Sequence, residues 1–161
     1  MNRIVIAHAG LRTPSSTKLL ADGFVSAMPE DDVRVVALRD HAHAIVDAML
    51  TGLVSDALAD VIGTVTGADA LVAVTPTFSA SFSGLFKSFF DILEPGVLKG
   101  MPVLLAATGG TARHSLMIDH SMRPMFAYLG AQAVRTGVFA ATEDFGGLGW
   151  RHSGGASTRR W

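Results

Sequence analysis

The chain has 161 residues, 49% hydrophobic and 17% charged, enough apolar material for one core and too much for disorder. Its 13 basic and 14 acidic side chains give a formal charge of -1, which leaves no electrostatic footprint for nucleic acid or an anionic membrane. Zero cysteines exclude disulfides, thiolate metal sites, iron-sulfur ligation and a cysteine nucleophile, so redox chemistry has to come from a bound cofactor. No stretch approaches the ~18 apolar residues of a transmembrane span, and Met1-Asn2-Arg3 leads into a strand-like run too short for a signal peptide. A cytoplasmic protein with a small neutral-to-polar ligand is expected.

Ile4 to Ala9, ending at Gly10, reads as a strand buried on both faces. Thr13-Pro14-Ser15-Ser16-Thr17 then supplies a proline and hydroxyls before an apolar stripe through Leu20 and Phe24, so a helix starts near residue 15. Val33 to Leu38 is a second strand, and Ala44 to Leu50 and Ser55 to Val65 read as helix interrupted near Gly52. Ala70 to Thr75 is a third strand closed by Pro76. Leu85, Phe86, Phe89, Phe90 and Leu93 predict a helix over Ser83 to Leu93, its aromatics at core spacing rather than forming a ligand box. Pro102 to Thr108 is a fourth strand ending at Gly109-Gly110. Ser115 to Leu129 is a helix that Pro124 should bend or restart, and Gln132 to Ala140 is a fifth strand. Beyond Glu143 the chain is Gly-rich, then basic, with no apolar helical stripe.

Alternating strands and helices predict an α/β fold, a doubly wound parallel sheet with right-handed crossovers. Five strands at this length suggest the flavodoxin-like order 2-1-3-4-5, with ligands beyond the carboxyl ends of the strands at the switch between the first and third. Three loops therefore matter: 10 to 17, 76 to 83 and 109 to 114. The first enters a helix N-terminus, where backbone N-H groups and the macrodipole favour an anion. Ser15, Ser16 and Thr17 add hydroxyls that suit either a monophosphate cradle or a simple helix cap. No Gly-x-Gly-x-x-Gly or P-loop is present. The second loop joins a rigid turn, an aromatic and small polar groups, which suits the edge of a planar heterocycle. The third offers closely approachable amides beside Arg113 and His114, or is a plain strand-to-helix turn.

The stretch from Val74 to Leu93, with Thr-Pro-Thr-Phe and Ser-Phe-Ser-Gly-Leu-Phe-Lys, resembles the NADPH-dependent FMN reductase family, whose members usually carry tyrosine or another aromatic at Phe78. Ala106 to His114 looks like the branch that supplies reduced flavin to luciferase-like monooxygenases. The resemblance covers about residues 3 to 144. It implies that Arg12, Ser15, Ser16 and Thr17 hold the FMN phosphate. Pro76, Thr77, Phe78 and Ser79 would line the ribityl chain and isoalloxazine, and Thr108, Gly109, Gly110, Thr111, Arg113 and His114 would meet the pyrimidine side. It further implies hydride transfer from NADPH or NADH to FMN, no catalytic side chain, a flavin-dependent monooxygenase as a possible recipient, and a homo-oligomer, dimer or tetramer.

The resemblance divides the chain into a flavodoxin-like FMN-binding domain, 1-144, and a tail, 145-161, where the family's terminal helix is missing. A quinone or azo-compound reductase on the same fold is the alternative enzyme. A flavodoxin-type electron carrier is the non-enzymatic one, and such carriers are strongly acidic; without residues 151 to 161, which hold three arginines and no acids, the charge here is only -4. His41 with His43, and His114 with His120, lack a third ligand at metal spacing.

Overall fold

A computed structural model describes residues 2–29 and 32–146. Its strands and helices run β1 (Arg3–His8), α1 (Ser16–Ala27), β2 (Asp32–Ala37), α2 (Ala42–Thr51), α3 (Asp56–Thr66), β3 (Ala70–Phe78), β4 (Ser81–Phe82), α4 (Gly84–Asp91), β5 (Pro102–Gly109), α5 (Arg123–Tyr128), β6 (Gln132–Ala133) and β7 (Val138–Ala141). The sheet order is β2-β1-β3-β5-β6, with β7 also pairing β5 further along. Every pairing is parallel except the β3-β4 hairpin. The expected 2-1-3-4-5 winding is therefore present, its last position shared by two short strands.

A parallel sheet buries both faces, so its strands carry apolar residues at successive positions. On one face, Leu20 and Ala21 of α1 cover Ile6, Val72, Val74, Ala106 and Val138. On the other, Val5, Leu71, Ala73, Val103 and Leu105 meet Ile45, Leu58 and a cluster of phenylalanines. Phe86 and Phe90 lie 4.9 Å apart, and Phe90 meets Phe126 edge-on, also at 4.9 Å. Each is at most 1% exposed, and each contributes roughly 1.5 to 3 kcal/mol of burial. The aromatic spacing in α4 is thus a core device, as its period implied.

Three elements differ from the sequence reading. The third strand does not stop at Pro76. It continues to Phe78 and turns at Ser79 and Ala80, both at positive φ (49° and 63°), into β4. Two consecutive left-handed residues make the tight turn that matches strand twist. Pro76 is tolerated because of strand parity. The Val74 carbonyl accepts from Ala9 N, so the edge of Pro76 two residues on points to the side that β1 has left, and its missing N-H costs no ladder bond.

The helix expected over Ser115 to Leu129 is instead a wide π-helical turn, Ile118–Met122, followed by α5 with Pro124 in its first turn. Pro124 restarts the helix where its absent N-H is harmless. The fifth strand is broken between Ala133 and Val138. At Gly137 a Cβ would press on Ile118 at 2.7 Å, and the carbonyls at the break are taken over by Arg123, whose Nη1 donates to Val134 O (3.0 Å) and Nη2 to Arg135 O (3.1 Å). The missing terminal helix and the tail, 145-161, fall almost wholly beyond residue 146 and so lie outside the described residues; Phe145 packs on the α1 face.

Arg123 also forms an exposed pair with Asp119 at 2.9 Å. Replacing Arg123 by Met keeps the stem and hands two exposed carbonyls to water, which should lower urea-measured stability by about 0.5 to 1.5 kcal/mol. Asp119→Asn, removing only the exposed pair, should cost less than about 1 kcal/mol. Equal effects would show that the carbonyl contacts are idle.

Candidate functional site

The three loops emerge at one end of the sheet because the register requires it. His8 pairs with Val74, and Pro76 with Thr108, so the segments after β1, β3 and β5 leave side by side. One bond ties the first to the third: Thr17 Oγ1 and Thr108 Oγ1 lie 2.8 Å apart, each residue 2% exposed.

In the first loop, Ser15 is the N-cap of α1, its Oγ accepting from Lys18 N at 3.2 Å. The cap reading of that hydroxyl is thus realised. The first turn of α1 carries no acidic residue, so the positive end of the helix dipole is uncompensated. Arg12 and Ser16 are exposed and make no side-chain bond among the described residues. Arg39, in the short turn after β2, donates from Nη1 to Thr13 Oγ1 at 3.2 Å and braces the loop. It had no sequence signal.

The second loop is the β3-β4 hairpin. Thr75 Oγ1 accepts from Ser83 N (3.0 Å) and donates to Pro76 O (2.8 Å), while Ser83 caps α4 through Phe86 N. The hairpin is thereby fixed at its base, and Phe78 stands at its rim, 43% exposed, beside Ser79. Thr77 Oγ1 is buried with no hydrogen-bond partner among the described residues. It lies against Gly109: a Cβ there would come 3.4 Å from Thr77 Oγ1 and 2.7 Å from Phe139 Cζ. Glycine at 109 is required by this close approach.

In the third loop, Gly110 is exposed and a Cβ there would meet open space. Thr111 Oγ1 accepts from Arg113 N at 3.2 Å and caps the short turn Ala112–His114. Arg113 and His114 are exposed. Among the described residues, the predicted ones thus divide into those that build the loops (Ser15, Thr17, Pro76, Ser79, Thr108, Gly109, Thr111) and those that present unpaired or exposed groups (Arg12, Ser16, Thr77, Phe78, Gly110, Arg113, His114).

A group missed from sequence is His8, the polar interruption in the β1 run. It is 4% exposed, its Nδ1 accepts from Gly10 N at 3.3 Å, and burial, with the Lys18 ammonium adding to it, pushes its pKa below the ordinary histidine value against Asp22 and Asp40. It opens onto a cleft of about 710 Å³ on the β2 side of the loop, lined also by Lys18, Asp22, Arg34, Asp40 and His41. That cleft adjoins the first loop and lies away from the hairpin. Among the described residues no three His, Asp or Glu gather at metal distance, and no helix is long and apolar enough to cross a membrane.

Comparison with known proteins gives a consistent set of likenesses. The model of the NADPH-dependent FMN reductase family matches residues 2–146. The NADH-dependent FMN reductase SfnF of Pseudomonas putida is 36% identical over 147 residues, 89% of this chain and 79% of that protein. FMN reductase (NADPH) of Pseudomonas aeruginosa is 34% identical, covering 89% and 78%. Among solved structures, an oxidoreductase from Corynebacterium diphtheriae superposes with TM-score 0.84 at 42% identity, covering 92% of this chain and 86% of that one. The NADH:FMN oxidoreductase EMOB gives 0.79 at 28%, covering 90% and 78%.

Thr17→Val and Thr108→Val each leave the other hydroxyl buried and unpaired, and each should cost about 1 to 3 kcal/mol. The double variant should cost little more than either single one. Strict additivity in urea denaturation would show that the two hydroxyls do not act as a pair.

Proposed function

Since the chain belongs to the NADPH-dependent FMN reductase family and is an FMN-reducing oxidoreductase of that family, we propose that FMN binds where the three loops meet, phosphate at the N-terminus of α1 and ring between the hairpin and Gly109-Gly110. The observation that carries this placement is the orphaned Thr77 hydroxyl beside Gly109, a buried polar atom facing a strip of bare backbone. Buried hydroxyls are rarely left unpaired, and a polar heterocycle edge supplies the partner. The donor set fits the group: an uncompensated helix N-terminus with Arg12 and Ser16 for a phosphate, an aromatic rim at Phe78, and open amides at Gly110.

Flavin held there would supply the hydride chemistry between reduced nicotinamide and an acceptor. The chain contributes binding and orientation. Arg12 and the Ser16 hydroxyl hold the phosphate, each as a charge-assisted hydrogen bond. Thr77 and the Gly109-Gly110 backbone fix the ring edge, with Arg113 and His114 adding positive and donor character on the pyrimidine side. Thr17 and Thr108 act through each other, keeping the phosphate loop in register with the ring loop. The half-exposed Phe78 leaves the ring edge open to a nicotinamide or an acceptor.

The same reading extends to delivery of reduced flavin to a flavin-dependent monooxygenase, to work in the cytoplasm where reduced nicotinamide is available, and to a homo-oligomer, dimer or tetramer. Association is supported by apolar side chains left at the surface, Val35 on the α1 face, Leu50 in the last turn of α2 and Leu53 just beyond it, the last two 79% and 76% exposed. Light scattering giving a monomer at micromolar concentration would remove the oligomer from this account.

The purified protein should oxidise NADH or NADPH only when FMN is added or bound, followed by loss of reduced-nicotinamide absorbance. Arg12→Ala with Ser16→Ala should weaken FMN binding at least tenfold, from about 1.5 to 3 kcal/mol for each bond to a charged group. The melting temperature of the flavin-free protein should stay in place, since both side chains are exposed. Unchanged FMN affinity would move the phosphate elsewhere, and oxidation of nicotinamide by a quinone but not by FMN would favour the quinone reductase.

A further inference from the structure

Gly10 is the hinge between β1 and the first loop. It is buried, and it is pressed so closely on its neighbours that a Cβ would collide with Ser15 Oγ and lie 3.4 Å from His8 Nδ1. Its N-H donates to that same Nδ1 at 3.3 Å. Ser15 in turn caps α1. The His8 ring, the Gly10 backbone and the α1 cap therefore lie side by side, joined by a hydrogen bond to His8 Nδ1.

We propose that His8 in its neutral form is a positioning residue for the phosphate-binding loop, and that its protonation loosens the grip on FMN; this rests on the reading of that loop as the FMN phosphate site. An imidazolium carries N-H on both nitrogens, so it offers Gly10 no acceptor and sets two hydrogens against each other. The Gly10 amide, being buried, has to shift to find water, and the shift is transmitted to Ser15 through a contact that has no slack.

The groups facing the ring come from every element around it. Lys18 and Asp22 lie on α1, Arg34 on β2, and Asp40 and His41 on the turn after β2, all lining the cleft that His8 opens onto. Burial tips the balance to the neutral form, Lys18 also opposing a proton on the ring while Asp22 and Asp40 favour one. Burial, helped by Lys18, favours the neutral ring, so His8 holds the loop through neutral pH and releases it as pH falls below the ordinary histidine value of about 6.5.

The phosphate of free FMN also titrates near pH 6, so wild-type pH dependence alone is not diagnostic. The test is the FMN dissociation constant, from quenching of flavin fluorescence, at about pH 8 and about pH 4.5 for the wild type, His8→Asn and His8→Leu. The asparagine amide oxygen replaces Nδ1 as acceptor and does not titrate. Between the two pH values the wild type should lose at least about fivefold more affinity than His8→Asn, and at pH 8 His8→Leu should bind at least about fivefold more weakly than His8→Asn.

Equal losses in wild type and His8→Asn would overturn the proposal even if His8→Leu does not fold, and so would His8→Leu binding as well as His8→Asn at pH 8. A wild type that binds no FMN at either pH would instead overturn the flavin reading of the loop, and this proposal with it.

Discussion

Two threonine hydroxyls 2.8 Å apart join the helix that ends the first loop to the strand that begins the third, reinforcing the packing of α1 on the sheet. Neither loop has a hydrogen-bonded ladder to hold it. Their relative position comes from the parallel pairing of β1, β3 and β5 below and from this single side-chain bond above. Burying the pair makes it sensitive, because an unpaired hydroxyl costs more in a dry environment than the bond itself contributes.

Around that link the polar residues divide their work. Ser15, Ser83 and Thr111 each satisfy a backbone amide three or two residues on, so they shape loops and have one acceptor site already engaged. Thr75 closes the hairpin base, and Arg39 and Arg123 brace irregular backbone from outside. Among the described residues, unpaired groups of complementary kinds meet at one end of the sheet: a guanidinium, a hydroxyl and a bare helix terminus on one side, a buried hydroxyl and exposed glycine backbone on the other. A phosphate-bearing planar cofactor has that same distribution of needs.

The winding of the sheet was legible because buried parallel strands read as unbroken apolar runs, and β1 and β5 carry them with glycine at the loop. The hairpin was hidden by Pro76: proline normally ends a strand, and only the departure of β1 makes it harmless here. The broken last strand is braced by Arg123, eleven and twelve residues before the two carbonyls it takes over, and short-range pattern carries no trace of those contacts. Site residues were legible as loop positions but not as roles. Thr17 and Thr108 looked like ligand groups, whereas the fold pairs them with each other across 91 positions. His8 was unreadable for a related reason, since a lone histidine in an apolar strand gains a role only once Gly10 folds back onto it.

The central claim is that flavin occupies the convergence of the three loops, and mapping backbone amide shifts as FMN is titrated into the protein tests it most directly. The account predicts the largest changes within Gly10 to Lys18, Thr77 to Ser81 and Gly109 to His114, with Arg34, Asp40 and Thr64 in the neighbouring cleft little moved. Large changes confined to that cleft, with the hairpin and the Gly109-Gly110 turn unperturbed, would contradict it.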